Sequence, residues 1–222
     1  MRKEEVQLKS LFYSLFCVVA AVFPKCLLSE LRQKNNMFLD ILASLQRLFV
    51  GYIPAVVLGS FIGYLIGINS MIYQLFRLIF QIPHSIPPIA LLPLALIALP
   101  DKESAAIIVV FLGTLWTMII NTAIGMQHFH RQNNNFRVAI FHIFHALKVS
   151  IWVAWFIVIA TEMLTGPKGL GFTLWDAYKA GNADYIIQVI LYIGIIGFLL
   201  DQLLDFAAYI LSQMVSDGKK SS

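Results

Sequence analysis

Apolar residues run along this chain in blocks of about twenty, parted by short polar joints, and a block of that length is what a helix needs to cross a hydrocarbon core of about 30 Å. Residues 48–68 and 105–124 hold no charged side chain. Residues 78–99 hold none either, although His84 and four prolines interrupt them. Two further blocks carry charge towards one end: 138–164 has His142, His145 and Lys148 in its first half, and 186–211 is free of charge until Asp201 and Asp205, which can reach the headgroups. Five spans follow. A shorter block, 11–23, is preceded by Arg2, Lys3 and Lys9 and followed by Pro24, as a signal-peptide apolar region would be, but it lacks a small-x-small cleavage site. It reads as a retained sixth helix, extended from Leu8. The expected fold is an all-α polytopic membrane helix bundle, with an N-terminal membrane helix and connecting segment over 1–37 and five core transmembrane helices over 38–222.

Composition removes the soluble alternatives. With 59% apolar and 13% charged residues and a mean hydropathy of +0.78, the 12 acidic and 16 basic side chains cannot cover the surface around so much Leu, Ile, Val and Phe. This excludes a water-soluble enzyme or nucleic-acid-binding domain and makes membrane lipids the first partner. The net charge of +4 reads as loops anchored against anionic headgroups. With six spans and both ends inside, the inner loops hold nine of the sixteen basic residues, too weak a bias to fix the orientation. Cys17 and Cys26 are too few for a disulfide framework or a cysteine metal site.

Several features inside the blocks carry chemistry. Gly51, Ala55, Gly59, Gly63 and Gly67 recur every fourth residue, a stripe on which backbones approach closely, expected within the molecule rather than at a dimer seam. Four prolines from Pro83 to Pro93 force their span to bend or break. Backbone groups freed at membrane depth persist where protein or a water-filled cavity satisfies them, so the segment points to a translocation path; a kinked structural helix is the alternative. Glu162 stands at the edge of a span before a glycine-rich stretch, either as a functional acid or as a carboxylate accepting backbone N–H bonds from the glycine loop. His128, His130, His142 and His145 cluster without a carboxylate or cysteine, so no metal is assigned. The run from Arg131 to Asn135 reads as a solvated loop. No nucleophile stands beside a base and no phosphate loop ending in Gly-Lys-Ser/Thr occurs, so the chain is not an enzyme, cannot hydrolyse ATP by itself and is assigned no cofactor.

Motifs in a fixed order resemble the membrane permease of binding-protein-dependent ABC importers, in the nitrate, bicarbonate, sulfonate and taurine branch. Ser44-Leu-Gln-Arg-Leu-Phe-Val-Gly51 with Gly63 to Gly67 resembles the family's first core helix, Ile86-Pro-Pro-Ile-Ala-Leu-Leu-Pro-Leu-Ala95 its proline-rich second, and Phe111-Leu-Gly-Thr through Asn121-Thr-Ala-Ile-Gly125 its third. Ala154-Trp155 through Ala160-Thr-Glu-Met-Leu164, then Gly169-Leu-Gly171, Trp175-Asp-Ala177 and Gly197-Phe-Leu-Leu-Asp201, are most similar to the nitrate and bicarbonate members. One departure stands out. The family's cytoplasmic loop of Glu-Ala-Ala type, whose short helix docks in the ATPase, is nearly missing. Residues 128–137 leave room for a turn, and Val138-Ala139 is all that resembles the motif, whereas a docking helix needs about two or three turns of 3.6 residues.

The resemblance implies a type I importer permease in a bacterial plasma membrane, or a plastid membrane of bacterial descent. Two copies would flank a path that opens alternately, with separate ATPase subunits and a substrate-binding protein. It implies a small anion such as nitrate or bicarbonate, for which the expected path and gate residues are His84, Pro87, Pro88, Pro93, Lys148, Trp155, Thr161, Glu162, Thr165 and Trp175. The remnant ATPase contact would be His128, His130, Arg131 and Arg137. The shortened loop keeps a second reading open: a permease-derived structural or assembly subunit of another membrane complex.

Overall fold

A computed structural model describes residues 37–131 and 136–218, without the side chains of 77–84, 130–141 and 211–218; the expected helix over 11–23 lies outside the described residues. Residues 39–222 form one compact unit. Its helices are α1 (Met37–Ile68), α2 (Ser70–Ser85), a 3₁₀ turn (Pro88–Leu91), α3 (Leu92–Ala98), α4 (Lys102–Arg131), α5 (Phe136–Thr165), α6 (Leu170–Lys179) and α7 (Ala183–Gly218). Among the described residues four stretches are long and apolar enough to cross a membrane: Met37–Ile68, Lys102–Phe129, His142–Thr165 and Ala183–Ile210. This is an all-α polytopic membrane bundle.

The first of these helices begins eleven residues before the apolar block at Leu48, so Asp40, Ser44 and Arg47, expected in an outer loop, ride on α1. Its glycine stripe faces α4. A Cβ on Gly51 would stand 2.7 Å from Val110 Cγ1, one on Gly59 2.6 Å from Met118 Cβ, and one on Gly63 2.6 Å from the Ile119 carbonyl. Gln127 Nε2 donates to the Gly67 carbonyl at 2.8 Å, so the two helices stay in register to the far end of the stripe. The stripe is therefore an intramolecular seam, as expected.

Between α1 and α4 the chain returns through a broken element. Asn69 opens α2 by accepting the Met71 N–H at 2.9 Å. The helix stops at Ser85, Pro87 is extended (φ −58°, ψ 125°), and Pro88 and Pro93 start the 3₁₀ turn and α3, where a missing N–H costs nothing. Since α1 ends beside Ala123 and Met126 while α4 begins at the opposite end of the bundle, residues 70–99 cross its full height. At about 1.5 Å per residue α2 covers about 24 Å, and the seven-residue α3 about 10 Å, so neither crosses alone. The break sits halfway: Pro88 fills the space that a Cβ on Gly113 would need, 2.8 Å away, and Ile157 closes in from α5.

Asp101 opens α4 by accepting the Ser104 N–H at 2.9 Å, and that bond holds its exposed carboxyl below the usual carboxylate range. The expected turn over 128–137 is narrower than the sequence suggested. Helix α4 runs on to Arg131 and α5 starts at Phe136, each 30 residues and about 45 Å long, so the hairpin they form outreaches a hydrocarbon core of about 30 Å. Gly166 and Pro167 end α5, and Gly181, at φ +67°, turns the chain from α6 into α7, where Asn182 accepts the Tyr185 N–H at 3.1 Å.

Gly63→Leu should therefore force α1 and α4 apart at a cost of about 1–3 kcal/mol, the usual penalty of overpacking. Gly194→Leu, where an added Cβ meets nothing within 4 Å, should leave the melting midpoint of the purified protein nearly unchanged. Equal midpoints for the two variants would remove the stripe as a packing seam.

Candidate functional site

At the end of the bundle opposite the 132–135 connection, three elements converge on one carboxylate. Glu162, three residues before the end of α5, is 1% exposed. Its Oε1 accepts from Arg47 Nη1 at 2.8 Å. Its Oε2 accepts from Ser44 Oγ at 2.8 Å and from the Gly171 N–H at 2.9 Å. An isolated buried carboxylate would cost several kcal/mol, and this one has three donors around it, one of them the Arg47 cation.

The glycine loop is shaped to deliver those donors. Gly169 sits at φ 117°, which side-chain-bearing residues rarely adopt, and a Cβ there would collide with the Glu162 carboxylate. A Cβ on Gly171 would collide with the Ile159 carbonyl. The first N–H groups of α6 have no partner within their own helix. Instead Gly169 donates to Asp40 Oδ1 at 3.1 Å, Leu170 to Ser44 Oγ at 2.9 Å and Gly171 to Glu162, while Thr173 Oγ1 lies 2.8 Å from Asp40 Oδ2. Helix α6 is thus capped by side chains of α1 and α5.

Arg47 ties the cluster to a fourth element. Its Nη1 also donates to the Lys168 carbonyl at 2.7 Å, and its Nε and Nη2 meet Glu103 Oε1 and Oε2 at 2.6 and 2.8 Å, a two-pronged pairing with the first turn of α4. The Arg47 side chain is 7% exposed, that of Glu103 50%.

The remaining expected site residues lie elsewhere. Lys148 Nζ pairs with Asp201 at 3.1 Å and Asp205 at 2.9 Å, joining α5 to α7 far from Glu162. Trp155 is buried against Gly197, its Nε1 donating to the Ile193 carbonyl at 3.3 Å. Thr161 and Thr165 hydroxyls donate to carbonyls of their own helix, those of Val158 and Thr161. Trp175 stacks on Tyr178 with centroids 5.0 Å apart. Pro87, Pro88 and Pro93 form the break, and the His84 side chain is outside the described residues. At the hairpin end His128 stacks on His142 at 4.9 Å, and the His130, Arg131 and Arg137 side chains are not described. Among the described residues no three side chains are grouped to hold a metal. The structure thus brings Glu162 and the glycine loop together but not the other candidates. It adds Asp40, Ser44 and Arg47, whose signal was their spacing of four and three residues along one helix face, and Glu103 of α4, whose signal was the need of a buried arginine for carboxylates.

No protein-family profile matches the chain. A nitrate import permease protein of Leptolyngbya laminosa is 39% identical over 203 residues, covering 84% of this chain and 72% of the relative. A bicarbonate transport system permease protein of Synechococcus elongatus is 32% identical, over 76% of this chain and 67% of its own length. A probable ABC transporter permease protein of Brucella melitensis is 29% identical, over 78% of each. The first match takes in 84% of 222 residues, about 186, across 203 positions, so about 17 positions of that relative have no counterpart here.

Glu162→Ala should strand Ser44, Gly171 and half of Arg47, and lower stability by about 3–5 kcal/mol, the cost of breaking a buried pair. Gly169→Ala should lower it by about 1–3 kcal/mol through backbone strain. Melting of the detergent-solubilised variants measures both; a wild-type midpoint in Glu162→Ala would remove the cluster as an anchor.

Proposed function

The chain belongs to the permease family of binding-protein-dependent ABC importers, in its nitrate and bicarbonate branch, and from that premise we propose that it lines the membrane path of an importer for a small planar oxyanion, nitrate or bicarbonate. The observation that carries this reading is sequence identity of 31–39% with nitrate import permeases over most of the chain. Its partners in this reading are a second permease subunit, ATPase subunits that hydrolyse ATP in its place and a binding protein that delivers the anion. Residues 38–222 are the permease domain and 1–37 an added membrane segment. The glycine-loop end faces the binding protein and the hairpin end faces the ATPase.

A discontinuous helix at mid-height supports a path. The helix is interrupted between Ser85 and Pro88, where the Pro87 carbonyl accepts the Ala90 N–H at 2.8 Å, and the break gives this element a hinge that the unbroken helices lack. Moving an anion asks for no covalent step. Alternating access asks only that two arrangements of the bundle differ in their affinity for the anion and for ATP-bound partners.

One observation favours a second reading, that of a structural or assembly subunit. Helices α4 and α5 leave only residues 132–135 between them, and about 17 positions of the relative are absent. The ATPase contact of the importer reading is therefore the protruding hairpin end itself, with His128, His130, Arg131 and Arg137 at its tip.

Gentle purification of the full chain from its own membrane should bring an ATPase with it, and replacing 128–137 by a Gly-Ser linker of equal length should release that ATPase. Proteoliposomes holding the complex should take up nitrate or bicarbonate only with ATP and binding protein present. Recovery of other membrane subunits and no ATPase would overturn the importer and support the structural subunit.

A further inference from the structure

The two carboxylates on Arg47 are held on different terms. Glu162 is enclosed and has two other donors, so it cannot leave without orphaning the Ser44 hydroxyl and the Gly171 N–H. Glu103 is half exposed, stands on the first turn of α4 at the edge of its span, and among the described residues its side chain has Arg47 as its sole partner. It can swing into water and lose nothing but that pairing. What it would uncover is the Nε and Nη2 edge of a guanidinium whose other edge is already fixed by Glu162 and the Lys168 carbonyl. Such an edge is rigid and presents two parallel N–H donors, the fork that suits an O–X–O group.

From this geometry we infer that the Nε/Nη2 edge of Arg47 is a binding site for a planar oxyanion, which Glu103 occupies as a built-in, displaceable substitute. A carboxylate, nitrate and bicarbonate share the trigonal O–X–O fork, so an arriving anion replaces Glu103 like for like, bond for bond and charge for charge. Chloride, a single point, does not reproduce it; sulfate can also offer two oxygens to such a fork, but with two more out of its plane and a second charge. Displacement also severs the Arg47–Glu103 link between α1 and the start of α4 at this end of the bundle, while Glu162 keeps α1, α5 and α6 together. Anion arrival thereby frees one helix and leaves the rest of the cluster fixed. The identity of the anion rests on the importer reading; the site itself rests on the Arg47 geometry.

The test is thermal melting of the full chain in detergent, with sodium salts of nitrate, bicarbonate, acetate, formate, chloride and sulfate at matched ionic strength. Glu103→Ala empties the fork. Planar oxyanions should then raise the midpoint saturably, with half-saturation at a concentration at least about tenfold below that of the unaltered chain, because the internal competitor is gone. Chloride should not. Glu103→Gln, which keeps a side chain in the fork without its charge, should fall between the two. Adding Arg47→Lys to Glu103→Ala should erase the difference between anions, and if that double variant fails to fold, the two Glu103 variants decide alone. A midpoint lowered equally in all six salts would mean that Glu103 is only a structural tie and would overturn the site. Stabilisation by acetate and formate without nitrate or bicarbonate would uphold the fork and overturn the nitrate or bicarbonate assignment instead.

Discussion

A carboxylate buried at the edge of a membrane has to be answered, and answering Glu162 organises one whole end of this protein. Its charge calls for Arg47, its second oxygen calls for two N–H or O–H donors, and the only residues that fit between are small: Ser44, Gly169 and Gly171. The loop that supplies Gly171 must then enter α6 at a φ of 117°, and the helix it starts is capped by residues from α1 and α5 rather than by its own neighbours. Ionic pairs of this kind add little stability over an apolar equivalent. What they fix is geometry, since no alternative seating of the loop satisfies so many groups at once.

The tie between α5 and α7 is looser. Lys148, Asp201 and Asp205 link α5 to α7, but Lys148 is 30% and Asp205 51% exposed, and exposed pairs are worth about 0–1 kcal/mol. Asp201 Oδ1 has the ion pair without a regular hydrogen bond. Between these ends the proline break interrupts one helix where it passes Gly113. The described ties thus pass from an enclosed cluster at the loop end, through the break, to half-exposed pairs between α5 and α7.

Much of this was legible in the sequence. Span lengths follow from hydropathy alone, the break from four prolines, and the glycine stripe from its period of four. Glu162 was visible as an acid out of place, and the glycines beside it as a ready source of N–H donors. Arg47 was not, because a hydropathy block ends at the first charge, and a buried arginine at the end of a span looks the same as a solvated one in the flanking loop. The donors nominated for an anion path fared differently from Glu162 for a related reason. In a low-dielectric setting a spare donor is costly, so Thr161, Thr165, Trp155 and Lys148 spend theirs on nearby carbonyls and carboxylates. Residue type announces a capacity to donate; only packing decides where it is used.

The shortened connection between α4 and α5 acquires its meaning from the far end. Both helices are unbroken rods of 30 residues joined by four, so a push at the tip is carried along about 45 Å of hydrogen-bonded backbone. At their other ends the two rods carry Glu103 and Glu162, and both grip the same arginine. Arg47 is therefore a joint between the very elements that an ATPase at the hairpin would move. Parallel motion of the rods leaves both grips intact. Relative sliding must release one, and the half-exposed Glu103 yields before the enclosed Glu162 does. In the importer reading proposed above, a stroke delivered at the hairpin would travel along the two rods to Arg47, where the half-exposed Glu103 is the contact that yields.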